Sequence, residues 1–482
     1  MRAAMSPLSQ VDLRTYSLDR FREVVEPADY ERAVAVLERS RELLGGRTVW
    51  HLNSTAEGGG VAEMLPSLLA YARGAGIDAR WAVIEGEPEF FRITKRLHHA
   101  LHGSTGDGSP LGAQASRVYG EVLRPNIEAF LEELRPGDAV FLHDPQTAGM
   151  APALMAYGAT VIWRCHIGTE DLTPEAEGGW GFLAPHVREV PLRVFSRQAY
   201  IPPVLDDGRS AVVQPSIDAF SAKNEEQDED VTRAILAQSG LISGPAGDAP
   251  RSFTREDGTT GSVEREASVL REGDAPDWGD PLIVQVSRWD PLKDHGGVMR
   301  GFASFVERCD VDGQSQLVLA GPDVSGVTDD PEGGIVLEEL KAEWAAFPEH
   351  LRSRMHLATL PMDDVAENAA MVNALQRHAS VVVQKSLREG FGLTLTEAMW
   401  KSRPVIASRV GGLQDQVTHG EEGLLLDDPT DVEALGDALC RVMDDEELAA
   451  ELGANARERV RADFLGIRHL AQYHDLLNGL LA

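Results

Sequence analysis

Two glutamates flank a glycine-containing turn late in the chain, and they predict an anion-binding site. Glu389 lies just before Gly390-Phe-Gly392, and Glu397 follows it with seven residues between the two carboxylates. An apolar run at 379–383 predicts a buried strand before the turn, and residues 394–401 have helical composition. A strand, a glycine turn and a helix start leave backbone N–H groups available to an anion. One glutamate here would only complement the helix dipole, whereas two around this turn indicate a functional site.

Two cations provide the matching charge. Arg288 and Lys293 follow the first predicted strand of the second half of the chain. At the carboxyl end of a strand, such a pair can neutralise a diphosphate leaving group, arginine through its planar fork and lysine as a point charge. A solvated surface pair is the alternative. Phosphate binding is favoured because the pair shares its sheet edge with the 389–397 loop.

A run of three glycines opens a predicted helix in the first half of the chain. Gly58, Gly59 and Gly60 permit close approach of the backbone to a phosphate or a sugar, although a flexible turn would also explain them. The run lacks the G-x-G-x-x-G spacing, and no matching acidic residue ends the next strand. Both features argue against a dinucleotide site.

Polar side chains follow two further predicted strands. Asp144 and Gln146 come after the strand at 138–142, and His166 comes after the strand at 160–164. Asp144 can accept a hydrogen bond from a sugar hydroxyl, and His166 can either donate or accept one. For His166, a purely structural hydrogen bond and contact with a ligand stay equally open. Glu57 and Arg164 are weaker candidates by the same reasoning.

The elements that must position these residues form two series of alternating strands and helices, which predicts an α/β fold with parallel sheets. Two Rossmann-like domains are expected to face each other across a central cleft that holds the ligand. We predict an N-terminal domain at 1–220, an acidic insertion or linker at 221–280, a C-terminal domain at 281–464, and a C-terminal helix at 465–482. This last helix could cross back to the N-terminal domain or pack on the C-terminal domain. The predicted strands are 48–52, 76–84, 138–142, 160–164, 193–196 and 211–213 in the first series, and 282–287, 315–320, 355–358, 381–383, 404–407 and 423–426 in the second.

The segment at 224–280 interrupts this alternation. Its acidic residues greatly outnumber its arginines, it shows little strand pattern, and it contains turn-rich pieces at 243–248 and 256–262. We therefore expect a polar, mobile insertion, with an ordered helix at 231–241.

Length and charge narrow the class of protein. The chain has 482 residues, enough for two domains, and its formal net charge is −32. Nucleic acids and anionic membranes require a basic face, so neither is an expected partner. The N-terminus lacks the apolar region of a signal peptide, and no apolar run is long enough to span a bilayer, which predicts a soluble cytoplasmic protein.

Neither a disulfide framework nor a metal site is expected. Cys165, Cys309 and Cys440 are odd in number and widely spaced, without a C-x-x-C motif. His98, His99 and His102 lie close together in the sequence, but no carboxylate partner is evident, and an ordinary polar helix face explains them better than a metal does.

Taken together, the motifs resemble those of a known family. The pair of glutamates around Gly390-Phe-Gly392, preceded by Arg288 and Lys293, resembles the retaining GT-B-fold glycosyltransferases that use nucleotide-sugars. Further motifs resemble the trehalose glycosyltransferring synthases within that group. They are Asn53-Ser-Thr with the glycine run up to Met64, Gly76–Trp81, Val83–Gly86, His143-Asp-Pro-Gln146 and Arg388–Gly392. The resemblance covers nearly all of the chain outside 224–280, and the acidic segment departs from the compact family pattern.

The resemblance implies a role for each matching residue. The catalytic set is Glu389, Arg288 and Lys293, in which the two cations hold the diphosphate and Glu389 binds hydroxyls of the donor glucose. The remaining implied contacts are Glu397 to the ribose, Gly390, Phe391, Gly392, Leu393 and Thr394 around the diphosphate, His166 to the donor sugar near its 6-hydroxyl, Gly58, Gly59 and Gly60 on the phosphate side, and Asp144 and Gln146 to the acceptor.

The implied reaction joins glucose from ADP-glucose or UDP-glucose to free glucose, giving α,α-trehalose. Retention by double displacement needs a nucleophilic carboxylate on the β-face, and none is assigned, so same-face attack is favoured. No tightly bound cofactor and no metal ligand is implied, with Mg²⁺ as a stimulator at most, and a homodimer stays open. The alternatives are a retaining trehalose phosphorylase and a catalytically silent nucleotide-sugar-binding module.

Overall fold

The chain divides into two compact units, each built around one seven-stranded sheet. The computed structural model describes residues 8–56, 60–245, 247–310, 313–324 and 331–482. Unit 1 comprises the residues up to Ser216 together with Phe464–Ala482, and unit 2 comprises Ile217–Asp463. Two α/β units were expected from the alternation of strands and helices, and both are present.

Unit 1 follows the predicted alternation of strand and helix. Its strands are β1 (Leu8–Val11), β2 (Val49–Asn53), β3 (Ala79–Ile84), β4 (Ala139–His143), β5 (Thr160–Cys165), β6 (Leu192–Phe195) and β7 (Ser210–Val212). Its helices are α1 (Pro27–Leu44), α2 (Gly60–Gly74), α3 (Pro88–Leu101), α4 (Ala113–Glu133), α5 (Asp144–Ala148), α6 (Ala151–Tyr157), α7 (Pro174–Val187) and, from the end of the chain, α17 (Gly466–Leu481). Three short 3-10 helices lie at Leu18–Glu23, Gln198–Tyr200 and Pro203–Leu205.

The strand order of unit 1 reverses beside β2. The order is β1-β3-β2-β4-β5-β6-β7, and every pair is parallel except β1 with β3. From β2 the chain moves to one side to form β3 and later to the other side to form β4. Such a reversal opens a crevice at the carboxyl ends of the two central strands, where ligands of α/β sheets bind. β2 and β4 are buried along their whole length, as expected for central strands of a parallel sheet.

The last helix, α17, packs against α1 and completes unit 1. The Arg164 Nε atom donates a 3.0 Å hydrogen bond to the Tyr473 hydroxyl, and the Ser40 hydroxyl donates a 2.7 Å bond to the side chain of Asn478. Tyr473 and Asn478 are both buried. The C-terminal helix therefore belongs to the N-terminal unit.

Unit 2 also contains a seven-stranded sheet with helices. Its strands are β8 (Ser252–Thr254), β9 (Thr260–Ser262), β10 (Ser268–Leu270), β11 (Leu282–Val286), β12 (Gln316–Pro322), β13 (Met355–Leu360), β14 (Val381–Gln384), β15 (Val405–Ser408) and β16 (Leu424–Leu426). Its helices are α8 (Glu229–Gln238), α9 (His295–Arg308), α10 (Pro331–Ala346), α11 (Glu349–Arg352), α12 (Val365–His378), α13 (Leu393–Trp400), α14 (Leu413–Gln416), α15 (Val432–Met443) and α16 (Glu446–Asp463), with a 3-10 turn at Pro291–Lys293.

The strand order of unit 2 reverses beside β11. The order is β10-β13-β12-β11-β14-β15-β16, with only the edge strand β10 antiparallel to its neighbour. The chain leaves β11 towards β12 and β13, then returns to the opposite side as β14. The loops after β11 and β14 therefore meet at the switch point of the sheet.

The acidic segment is more ordered than its sequence pattern suggests. It forms α8, which overlaps the helix predicted at 231–241 but begins two residues earlier, a β8–β9 hairpin, and β10, which pairs with β13 at Ser268 to Leu270. Arg255 makes two hydrogen bonds to the Asp364 carboxylate, and the Glu367 carboxylate accepts 2.7 Å bonds from the backbone N–H groups of Glu264 and Arg265. Strands of three residues are too short for a visible alternation, so only their tertiary partners define them.

The expectation that no disulfide forms is wrong. Cys309 at the end of α9 and Cys440 in α15 form a disulfide, with Cα atoms 5.7 Å apart. The packing of α15 on α9 brings together two cysteines separated by 131 residues, which spacing in the sequence cannot reveal. Cys165 is a buried free thiol. Among the described helices, none combines the length and the apolar character needed to cross a membrane.

Candidate active site

The loops after β11 and β14 are tied together at the switch point of unit 2. The Gln285 side chain donates a 2.9 Å bond to the Lys293 carbonyl, and its carbonyl oxygen accepts a 3.2 Å bond from the Lys385 N–H. The Leu387 N–H donates a 2.8 Å bond to the Leu292 carbonyl. Because β11 and β14 are parallel neighbours, these backbone contacts fix the two predicted site loops against each other.

Lys293 and Glu389 form an ion pair across these two loops. The Ser386 hydroxyl also donates a 3.1 Å bond to the same Glu389 oxygen. The two side chains are only 13% and 11% exposed, so their charges interact in a partly desolvated environment where Coulomb interactions are stronger than in bulk water. The structure thus brings together two of the three predicted catalytic residues.

Gly392 shapes the turn between β14 and α13. It adopts φ 84° as the N-cap of α13, and a Cβ atom at this position would lie 2.5 Å from the Leu413 side chain. The Gly390 carbonyl accepts a 3.1 Å bond from the Gly412 N–H, and the Phe391 carbonyl accepts a 2.6 Å bond from the Gln416 side chain. These contacts fix the turn, and the first N–H groups of α13 have no acceptor within the helix.

These N–H groups belong to Leu393 and Thr394, the predicted diphosphate contacts. The Thr394 hydroxyl donates a 3.2 Å hydrogen bond to the side chain of Gln384, the last residue of β14, and this bond fixes the Thr394 side chain. The N-terminus of a helix carries a partial positive charge that favours an anion. The predicted anion site is therefore built from a fixed turn and a helix start.

Arg288 lies further out than Lys293. Its side chain is 69% exposed, and its guanidinium contacts Asp290 at 3.4 Å. It follows β11 as predicted, but the structure does not join it to the Lys293–Glu389 pair. An exposed arginine of this kind can swing towards a ligand at little cost, because its pairing with a surface carboxylate is weak.

Glu397 is 4% exposed and has cations nearby. Lys223 approaches its carboxylate at 3.6 Å. Lys401, one helical turn further on, is buried and donates to the Glu397 carbonyl at 3.0 Å, to Gln376 at 2.9 Å and to Asn224 at 3.1 Å. Burial lowers the pKa of Lys401 to about 7, against the raising effect of the Glu397 carboxylate. The buried amine of Lys401 thus anchors the C-terminal end of α13.

Two buried lysines of unit 2 were not predicted from the sequence. Lys401 lies in a helix whose composition looks ordinary, and Lys385 follows β14 like a surface residue. Lys385 is nevertheless fully buried, where it forms an ion pair with Asp294 and donates to the Pro429 carbonyl. Asp294, at φ 49°, caps α9 by accepting a 3.0 Å bond from the Gly297 N–H. No local motif marks either lysine, because each acts through groups distant in the sequence.

In unit 1, the residues after β4 and β5 meet beside the switch point. The Asp144 carboxylate accepts a 2.7 Å hydrogen bond from the His166 N–H. The His166 ring is linked to His143 at 3.2 Å, and His143 is linked to His51 of β2 at 3.0 Å. Asp144 adopts φ 61°, an uncommon backbone conformation for a residue other than glycine. Asp144 and His166 were predicted from their positions after strands, whereas His51 was not, because a histidine within an apolar strand gives no such signal.

Burial sets the charge of this cluster. It raises the pKa of Asp144 to about 6, although the His166 N–H acts in the opposite direction. It lowers the pKa of His143 to about 3, with a further contribution from the Arg164 guanidinium. The histidines are therefore neutral at physiological pH.

The other predicted residues of unit 1 are less informative. Gln146 is partly buried on α5, and Gly60 is exposed as the first residue of α2. Gly58 and Gly59 lie outside the described residues, as does Glu57. Within the described parts of the chain, no group of three or more histidine, cysteine, aspartate or glutamate side chains is arranged to hold a metal ion.

Comparison with known proteins assigns both units. The family model "Trehalose synthase, N-terminal domain" matches residues 51–202, and "Glycosyl transferases group 1" matches residues 270–459. The chain is 35% identical over 452 residues to a trehalose synthase of Pyrococcus horikoshii, which covers 93% of this chain and 94% of that protein. A trehalose phosphorylase of Grifola frondosa is 24% identical over 462 residues, covering 92% of this chain and 58% of that protein.

A solved structure supports the same assignment at the level of the fold. The α,α-trehalose-phosphate synthase (UDP-forming) of Burkholderia xenovorans, in complex with glucose-6-phosphate, matches with a TM-score of 0.66 at 16% identity, covering 90% of this chain and 100% of that one. The predicted GT-B fold is confirmed by this likeness and by the two sheets. The chain is a trehalose-related glycosyltransferase and belongs to the trehalose synthase family.

Proposed function

We propose that the protein transfers glucose from a nucleoside diphosphate glucose, ADP-glucose or UDP-glucose, to free glucose, with retention of the α-configuration and α,α-trehalose as product. The transfer is reversible in this proposal and requires no tightly bound cofactor, with Mg²⁺ as a stimulator at most. The observation that carries it is the shielded Lys293–Glu389 pair beside the N-terminus of α13. A cation, a carboxylate that can accept hydrogen bonds from sugar hydroxyls, and the N–H groups at a helix start suit a ligand that combines a hexose with a diphosphate.

Each group has a defined task in this mechanism. The bond between C1 of the donor glucose and the diphosphate oxygen breaks, and the electron pair goes to the leaving diphosphate. Lys293 and Arg288 stabilise that negative charge together with the N–H groups of Leu393 and Thr394, and this is the group whose charge grows in the transition state. Glu389 orients the donor through its hydroxyls, and Glu397 binds the ribose.

Attack on the same face explains retention. The acceptor hydroxyl approaches C1 from the side that the diphosphate leaves, and its proton passes to an oxygen of the departing diphosphate. His166 contacts the donor sugar, while Asp144 and Gln146 hold the acceptor in this proposal. Exclusion of water matters because hydrolysis of the donor competes with transfer.

The test is product formation by two variants with a matched control. Lys293→Met and Glu389→Gln remove the two halves of the shielded pair and should lower kcat by roughly a hundredfold or more, as expected when a charge-stabilising group is lost from a site. Lys341→Met with Glu338→Gln removes an exposed ion pair of 2.7 Å on α10 and should leave the rate unchanged. Near-normal trehalose formation by Lys293→Met would refute the site assignment.

The phosphorylase is a second candidate because the chain is also similar to trehalose phosphorylases. The two reactions are separated by supplying trehalose with phosphate, ADP or UDP and measuring the release of glucose. Release that depends on the nucleotide supports our proposal, whereas release that depends on phosphate supports a phosphorylase. Calorimetric binding of a nucleotide-sugar without turnover would indicate a silent binding module.

A further inference from the structure

Three histidines from neighbouring positions of the unit 1 sheet form one continuous chain of hydrogen bonds. His51 lies in β2, His143 ends β4, and His166 follows β5. The Nδ1 atom of His51 lies 3.0 Å from Nε2 of His143, and Nδ1 of His143 lies 3.2 Å from Nε2 of His166. The planes of neighbouring rings are nearly parallel, with interplanar angles of 27° and 18°. The parallel pairing of β2 with β4 and of β4 with β5 holds them in line.

The surroundings keep all three imidazoles neutral. His51 and His143 are 3% and 1% exposed, and only His166 is partly exposed. Burial lowers the pKa of His51 and of His166 below the ordinary value, with further lowering by His143 at His51 and by Arg164 at His166. Besides Arg164, the charged or titratable groups around the chain are Asp144, His469, Tyr473 and His474.

Neutrality restricts how the chain can be protonated. A neutral imidazole carries one N–H and one acceptor nitrogen. Two hydrogen bonds between three such rings can both form in only two ways. In one, every ring carries its proton on Nε2, and Nδ1 of His166 is an acceptor. In the other, every ring carries its proton on Nδ1, and Nδ1 of His166 is a donor.

We propose that His51 and His143 are positioning residues that set, through a shared tautomer, whether Nδ1 of His166 donates to or accepts from a hydroxyl of the donor sugar. This inference rests on the proposed function, in which His166 contacts that sugar. A switch from the Nε2 form to the Nδ1 form takes up one proton at Nδ1 of His166 and releases one at Nε2 of His51. Within the row of three rings, one proton moves from Nε2 of His166 to Nδ1 of His143, and another moves from Nε2 of His143 to Nδ1 of His51. The net charge of the three rings therefore does not change.

The first experiment reads the tautomers directly. In the intact protein labelled with ¹⁵N-histidine, the nitrogen chemical shifts distinguish the protonated nitrogen of each ring, and single substitutions assign His51, His143 and His166 among the 14 histidines. We expect the three rings to share one tautomer. Mixed tautomers among them would overturn the inference.

A pair of substitutions at His143 tests each link separately. An asparagine amide lies near the position of Nδ1, so His143→Asn retains the link to His166 and loses the link to His51. A glutamine amide lies near Nε2, so His143→Gln retains the link to His51 and loses the link to His166. His186→Gln serves as the control, because it removes a partly buried histidine of α7 that does not belong to the hydrogen-bonded row of His51, His143 and His166.

We expect kcat to fall roughly tenfold for His143→Gln, the loss expected for one hydrogen bond, while the KM for free glucose is unchanged. His51→Leu should alter the tautomer of His166 without touching it and lower kcat several-fold. An unchanged His166 spectrum in His51→Leu would refute the coupling. If the rings share a tautomer but the protein transfers no glucose, the proposed function fails and the histidine chain stands.

Discussion

Asp144 combines an uncommon backbone conformation with a carboxylate that burial disfavours. Its φ is 61°, in the left-handed region that aspartate and asparagine tolerate better than most residues. Its carboxylate holds the His166 backbone at 2.7 Å, and its carbonyl accepts a 3.0 Å bond from the Trp163 indole. The residue therefore fixes the relative positions of the loops after β4 and β5, at some cost in charge burial.

Asp144→Asn should relieve this cost with a characteristic pH dependence. The folded-state pKa of Asp144 is about 6, above the ordinary value of 3.8, so the folded protein binds more protons than the unfolded chain between these values. Stability contributed by the protonated acid is present below that window and is lost as the pH rises through 6. The variant should gain roughly 3 kcal/mol relative to the parent above pH 6 and less at pH 5.

The check is the free energy of unfolding in urea, measured for the parent and for Asp144→Asn between pH 5 and pH 8. The difference between the two free energies at each pH gives the contribution of Asp144. Asn keeps the left-handed conformation and an acceptor oxygen, so the backbone contact persists. Asp12→Asn, which removes the charge of an exposed aspartate in the same unit, is the control. A difference for Asp144→Asn that is independent of pH would contradict the burial of its charge.

At the residue scale, the sequence predicted those site residues that are charged and lie in a loop directly after a predicted strand. Lys293 and Glu389 are such groups, and the structure pairs them. Lys385 and Lys401 could not be predicted, because their roles depend on acceptors such as the Pro429 carbonyl and the Asn224 side chain. A buried lysine and a surface lysine look identical in the sequence.

At the scale of elements, α9 connects the Lys293 loop to the rest of unit 2. It begins directly after Lys293, with Asp294 as its N-cap, and it ends near Cys309. The disulfide from Cys309 to Cys440 joins the far end of α9 to α15. A cross-link between elements this distant in the sequence restricts the unfolded chain strongly.

The variant Cys309→Ser with Cys440→Ser should therefore be less stable than the oxidised parent, by about 2–4 kcal/mol in unit 2. Hydrogen exchange should become faster in α9 and α15 and stay unchanged in unit 1. Thiol titration of the denatured parent should find one reactive thiol before reduction and all three cysteines after it.

A reducing agent provides the internal control for this prediction. It should lower the stability of the parent to that of the double variant and have no effect on the variant itself. Cys165→Ala, at the buried free thiol, should respond to the reducing agent like the parent. Three thiols in the unreduced protein would show that the disulfide does not form.

Elements were predictable where the physics is local. The central strands β4, β11 and β14 are buried along their length and appear in the sequence as short apolar runs. The strands β8 and β10 were not predictable, because each has only three residues, and β10 in addition pairs with β13, which is distant in the sequence. The acidic composition of that segment wrongly suggested a mobile insertion. Two of its few cations, Arg255 and Arg265, form ion pairs with Asp364 and Glu367 at the start of α12 and so hold the segment in place.

At the scale of the whole molecule, the chain ends in the unit where it began. The sequence left open whether the last helix crosses back, because its apolar face would suit either sheet. The contacts that place α17 in unit 1 are specific: Tyr473 receives a bond from Arg164, Asn478 from Ser40, and His469 lies 2.9 Å from the Ser216 hydroxyl. These partners are scattered over the whole of unit 1 and could not be paired by reading the sequence.

Removal of residues 464–482 should consequently destabilise unit 1 and spare unit 2. The deletion exposes the apolar surface covered by Ile467, Leu470 and Leu477, all buried, and leaves the buried Arg164 without one of its acceptors. Hydrogen exchange should accelerate in α1 and β2, while peptides from β11 and α13 keep their protection. Tyr473→Phe removes only the hydroxyl and should cost about 1–3 kcal/mol, the penalty for an unsatisfied buried donor. Equal loss of protection in both units, or none in unit 1, would contradict the assignment of the last helix to the first unit.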